Sequence, residues 1–243
     1  MPDIYSGTGD GKVQSLISPT WAGARDPTSG SSASDSATRS SLFASVQRFA
    51  ARTGGTTYRV HRSFLTFDVS SITSAVAEVE LKIYGYSGND GSIWGVKGLN
   101  YIGSLSIFQF DEMPGFSAGN QMFGNVTQYT EINSGGGDWS TSGYNSLTGT
   151  SDLRDDIESE NAITIVMTDY SYDARNLAPS SNGTFNCGGY YSDDSSGAGG
   201  TGKDPYLSIK LAGYGHDVNT VGSSNIVKIN TVATANVAKV ITV

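Results

Sequence analysis

Residues 58–84 constrain the fold more than any other stretch. From Val76 to Tyr84 the chain alternates: Val79, Leu81 and Ile83 fall on one side, and Glu78, Glu80 and Lys82 on the other. A period of two with a charged outer row marks a strand with one buried and one wet face. Tyr58 to Val69, just before it, is aromatic-rich and β-branched, which suits a more heavily buried strand. The link between them, Ser70-Ser71-Ile72-Thr73-Ser74, is short and mostly polar. Two such strands form the expected centre of an all-β domain.

The same residues carry a family resemblance. Arg62-Ser63-Phe64-Leu65-Thr66-Phe67-Asp68-Val69-Ser70-Ser71-Ile72, followed by Val79-Glu80-Leu81-Lys82-Ile83-Tyr84, resembles the core of DNRLRE-type jelly-roll domains. Asp204-Pro205-Tyr206-Leu207-Ser208-Ile209-Lys210-Leu211 looks like the closing strand of that family. The resemblance spans roughly residues 1–212 and implies a jelly-roll β-sandwich related to carbohydrate-binding modules. Its motifs concern packing, so it carries fold further than function.

Composition agrees with many short strands and long loops: of 243 residues 31 are Gly, and only 16% are charged. A net charge of −8 argues against nucleic acid as a partner, since phosphate binding needs a basic surface. Cys187 is the single cysteine and cannot close an internal disulfide. Met1-Pro2-Asp3-Ile4-Tyr5 has neither a basic region nor an apolar run, so no secretory signal is expected there. Nothing approaches the ~20 apolar residues of a membrane span.

Along the chain, strands are expected at Val13–Ile17, Leu42–Phe49, Ile93–Val96, Leu105–Phe110, Ala162–Met167, Phe185–Tyr191 and Tyr206–Leu211. Residues 23–41, rich in Ser, Thr, Gly and Ala, read as a long surface loop. Residues 111–150 show no regular period. Ser151-Asp152-Leu153-Arg154-Asp155-Asp156-Ile157 predicts a short helix capped by Ser151.

After a hinge at residues 213–216 the ending changes character. Asn225-Ile226-Val227-Lys228-Ile229-Asn230-Thr231-Val232 recurs 11 residues later as Asn236-Val237-Ala238-Lys239-Val240-Ile241-Thr242-Val243. Ile226, Ile229, Val232, Val237, Val240 and Val243 make an apolar row that one repeat cannot bury alone. Left bare, such edges invite aggregation. Residues 217–243 therefore read as a docking tail, and they resemble the Ile/Val-Ala-Lys-Ile/Val-Asn repeats that end tailed-phage virion proteins. Three copies of a repeat can close a shared apolar core, so a homo-oligomer, with a trimer among its forms, is expected. The competing reading makes both repeats two more strands of the sandwich.

No catalytic set emerges. His61 lies inside the central strand without a partner motif, and His216 lies in the hinge. Gly197-Ala198-Gly199-Gly200-Thr201-Gly202-Lys203 has the spacing of a phosphate loop, but Asp204 and Pro205 follow where Ser or Thr and a helix are required. Asp90, Asp193 and Asp194 are candidate ligands for a structural Ca²⁺, although no Asp-x-Asp-x-Asp-Gly loop is present. Trp94, Trp139, Tyr190 and Tyr191 are candidates for stacking on sugar rings; 13 tyrosines also suit cross-strand pairing and subunit contacts, and that structural role is favoured.

The expected function is thus a non-enzymatic virion structural protein of a tailed phage, as capsid decoration or tail or fibre component, assembling through its C-terminal repeat with other virion subunits. It would be assembled in the host cytoplasm. The alternative is a carbohydrate-binding module attaching to host-surface or extracellular glycans.

Overall fold

The computed structural model describes residues 2–7, 9–34, 40–89, 91–99, 104–116, 125–133, 139–191, 202–213, 228–229 and 232–233. The described chain is an all-β, antiparallel sandwich of jelly-roll type. Its strands are β1 (Asp3–Tyr5), β2 (Gly11–Gln14), β3 (Ser32–Ser34), β4 (Ser40–Ala50), β5 (Thr56–Asp68), β6 (Val76–Asn89), β7 (Ile93–Lys97), β8 (Tyr144–Thr148), β9 (Ala162–Asp169), β10 (Gly183–Tyr190) and β11 (Tyr206–Leu211). Two short helices, α1 (Trp21–Arg25) and α2 (Ser151–Ser159), interrupt them.

The long strands β5 and β6 organise everything else. β6 pairs through its first half with β11 on one side and β8 on the other, then with β10 near its end. β5 pairs first with β4 and then with β9, while β2 lies along its middle. One layer is therefore β1-β11-β6-β8. The other holds β3-β2-β5-β4-β10 with β9 and β7, and β6 joins the two.

The interior follows from alternation. Val79, Leu81 and Ile83 of β6 meet Leu65 and Phe67 of β5, Ile163 and Ile165 of β9, and Leu207 and Ile209 of β11 in one core. The opposite face of β5 carries Val60 and Phe64 into a second core with Val13, Val96, Phe110 and Val166. β5 and β9 are buried on both faces, which is why neither alternates in hydropathy.

Several expectations need correction. Leu105–Phe110 holds no strand; Ile107–Asp111 is a 3-10 helix, because Ser106 and Gln109 form a capping box that starts a helical turn. The cap of α2 is Thr150, one residue before Ser151, and its hydroxyl accepts from Leu153 N–H. The irregular stretch 111–150 contains β8, and the loop 23–41 contains β3 and most of α1.

Candidate functional site

The outer face of the β1-β11-β6-β8 layer is where chemistry-bearing side chains gather. Its lower half is charged: Lys210 pairs with Glu78 at 2.7 Å and Lys82 with Glu80 at 2.6 Å. Its upper half is a continuous row of tyrosines from five strands. Tyr5 contacts Tyr206 at 5.4 Å between ring centroids, and Tyr206 contacts Tyr144 at 5.1 Å. Tyr144 meets Tyr84 at 5.3 Å, Tyr84 meets Tyr190 at 5.6 Å, and Tyr190 meets Tyr86 at 5.7 Å.

Most of these pairs are edge-to-face, so each ring gives its positive edge to a neighbour's negative face. Lys203 Nζ sits 4.5 Å from the Tyr190 ring centre and 5.1 Å from that of Tyr84. The lysine of the phosphate-loop-like stretch thus serves an aromatic surface. Tyr144 Oη donates toward the carbonyls of Gly202 and Asp204, fixing the chain that leads into β11. Burial pushes the Tyr144 phenol up to about 12, so this hydroxyl keeps its proton for those carbonyls at ordinary pH. Tyr86 is 50% exposed and Tyr144 36%, so the row opens to solvent at these two rings.

A second cluster is wholly internal. Arg62 on β5 makes a bidentate pair with Asp173, Nε and Nη2 each 2.8 Å from a carboxylate oxygen. Thr168 Oγ1 donates to the same carboxylate at 2.9 Å, and Arg25 Nε donates to the Asp173 carbonyl at 2.7 Å. Arg62 also donates to the carbonyls of Phe110 and Arg25, and its guanidinium lies 4.3 Å from the Phe110 ring centre. Arg25, Arg62 and Asp173 are fully buried. The cluster ties β5, α1, the 3-10 helix and the π-helical turn Tyr170–Ala174 together.

The sequence-predicted residues fall in several places. Of the four proposed stacking residues only Tyr190 belongs to the surface row. Trp94 (7% exposed), Trp139 (5%) and Tyr191 (5%) lie in the cores and have no free ring face for a sugar. Trp139 Nε1 donates to the Gly188 carbonyl at 2.9 Å. Asp90, Asp193 and Asp194 lie outside the described residues, as do Ile226, Val237, Val240 and Val243. Ile229 and Val232 pair with each other in a two-stranded antiparallel sheet, β12 (Lys228–Ile229) with β13 (Val232–Ala233). Among the described residues, no group of three or more His, Cys, Asp and Glu is placed to hold a metal ion. His61 is buried and meets Gln47 Oε1 at 3.4 Å. No helix of the described chain is long and apolar enough to cross a membrane.

Tyr5, Tyr84, Tyr86, Tyr144 and Tyr206 were not singled out by the sequence. Only the register of five strands brings them together. In comparison with known proteins, no family model and no curated protein matches the chain.

Proposed function

We propose that this chain is a non-enzymatic structural protein of a tailed-phage virion, a capsid decoration or a tail or fibre component. The sandwich is its rigid body, and the C-terminal repeat joins it to further subunits, including copies of itself. The observation that carries this reading is the repeat together with the separateness of its described strands. β12 and β13 pair with each other and take no place in the eleven-stranded sheet. A two-stranded ribbon is marginal in water by itself and gains stability from a partner. The buried charges of Arg25, Arg62 and Asp173 are used up in holding the fold, which also favours a structural role.

The test is removal of residues 217–243. The shortened chain is expected to stay folded and to sediment as a monomer while the full chain assembles. Assembly with unchanged stoichiometry overturns the reading.

One observation favours a second reading, attachment to glycans: the tyrosine row with Tyr86 and Tyr144 open to solvent. On that reading Tyr86→Ala and Tyr144→Ala abolish binding on a glycan array. An array without hits for the parent protein removes it.

A further inference from the structure

We propose that the outer edge of β8 is the acceptor for the C-terminal repeat of a second copy of this chain, which adds there as a short extra strand. The proposal rests on the assembly reading above and names the surface that reading requires.

Among the described residues, β8 is bonded on one side only for most of its length. Gly85 N–H donates to the Gly143 carbonyl at 3.0 Å, and Gly149 N–H donates to the Val79 carbonyl at 2.8 Å. Bonds to β6 therefore come from the odd-numbered residues, and Tyr144, Ser146 and Thr148 turn their backbone groups away from it. The Thr148 carbonyl accepts from Glu131 N–H at 2.8 Å. The segment 127–133 otherwise follows β7: Lys97 N–H donates to the Thr127 carbonyl, Tyr129 N–H to the Gly95 carbonyl, and Asn133 and Ile93 exchange bonds of 3.0 and 3.2 Å. Beyond the Glu131 contact a groove of 160 Å³ lies between Glu131, Ile132 and Asn133 on one wall and Ser146, Leu147 and Thr148 on the other. Among the described residues nothing bonds the Ser146 N–H and C=O. A strand edge without a partner among the described residues, beside a groove, is the template that β-strand addition uses.

Charge and chain length identify the occupant. Glu131 is exposed at the groove. The repeats, residues 225–243, carry Lys228 and Lys239 and no acid, so the −8 chain is −10 outside them and +2 within. Lys228 and Ile229 of the first repeat already pair with Val232 and Ala233. The second repeat, Asn236–Val243, has the same lysine and valine spacing and is the donor. Residues 214–243 follow the last strand of the body, a length that reaches a neighbour with ease.

The test uses the full chain. Ser146→Pro deletes the outward N–H at an edge position where proline is tolerated, and Ser146→Ala keeps it. In sedimentation the proline variant is expected to assemble at least tenfold more weakly, with the alanine variant unchanged and near-ultraviolet circular dichroism native in both. A second measurement does not depend on how the proline variant folds. Ser146→Cys chains are mixed with longer, tagged Ala238→Cys chains and oxidised; Cys187 is buried and stays silent. A disulfide between the two chain types is expected. The absence of such a disulfide, or full assembly of the proline variant, overturns the proposal. If residues 217–243 prove necessary for assembly while these probes fail, the acceptor is wrong and the assembly reading stands. If the full chain is monomeric, both fall.

Discussion

At the scale of single residues, the costliest commitment is Arg62. A guanidinium with no exposed surface needs its donors met, and here the Asp173 carboxylate and the carbonyls of Phe110 and Arg25 accept four hydrogen bonds from it. Removing one partner of a buried ion pair strands the other, which costs about 3–5 kcal/mol. Arg62→Ala is therefore expected to lower the unfolding free energy from urea denaturation by that amount, with Lys210→Ala, at the exposed pair with Glu78, almost silent by the same measurement. Two further buried groups predict a pH signature. Burial, helped by Lys12 and Arg59, lowers His61 to about 3 from 6.5, so the folded state holds it neutral where the unfolded chain is charged. The unfolded state then binds more protons between pH 3 and 6.5, and this group makes stability rise with pH. Asp169 has the opposite sign. Burial pushes its carboxyl up from 3.8 to about 7, although N–H groups of Tyr172, Ser92 and Asp173 pull it down. The folded state binds more protons between pH 3.8 and 7, so this group makes stability fall as pH rises. The two slopes, each at most about 1.4 kcal/mol per pH unit, oppose one another between pH 4 and 6.5. Asp169→Asn is expected to leave a stability that climbs over this window, and His61→Gln one that declines. Identical denaturation profiles for the two variants would contradict this assignment.

At the scale of elements, β6 decides the architecture because it changes partners along its length. The change is at Gly85, which faces Gly189 of β10 after β6 has left β11 and makes the last bond on the β8 side, to the Gly143 carbonyl. A Cβ at Gly85 would collide with the Ser140 carbonyl oxygen, which belongs to backbone held by Asn145. Gly85→Ala is expected to cost about 1–3 kcal/mol by overpacking, measured by chemical denaturation. Gly54→Ala, where nothing lies within 4 Å, serves as the control for strain without collision, since φ there is +85°. Gly85 also shows where sequence reading stops. The alternation through Ile83 was plain, but a glycine at the end of an apolar period gives no hint that the strand continues to Asn89 with a new neighbour. β8 was hidden for a related reason. Tyr144-Asn145-Ser146-Leu147-Thr148 offers one buried aliphatic side chain, Leu147, and Gly and Ser surround it. The 3-10 helix, by contrast, announced itself in Ser106 and Gln109 and was missed because the apolar residues beside them look like a strand. The two cores were legible as apolar faces of β5 and β6. The Arg62 cluster and the tyrosine row were not, since each draws on segments more than a hundred residues apart.

At the scale of the whole molecule, the body is closed by its ends. β11, the last strand of the sandwich, lies between β6 and β1, the first. Such non-local closure makes folding slow, because the chain must bring residue 3 to residue 208 before β1 gains its ladder bonds. β1 has only three residues, yet much depends on it. Ser6 N–H donates to the Pro205 carbonyl at 2.9 Å, Ile209 N–H to the Pro2 carbonyl at 3.1 Å, and Gly7 N–H to the Thr66 carbonyl at 2.9 Å, so the segment bridges both layers. Ile4 covers the core beside Leu207 and Ile209, and Tyr5 ends the tyrosine row on Tyr206. Each lost backbone bond costs about 1 kcal/mol, and uncovering Ile4 costs about 2 more. Deleting residues 2–7 is thus expected to remove roughly 5 kcal/mol, which in a body of this size lowers Tm by about 10–20 °C. The loss should appear as one cooperative transition at lower temperature in calorimetry. A separate early transition with the main one unmoved would mean that β1 is an appendage, and that β11 seals the sandwich without it.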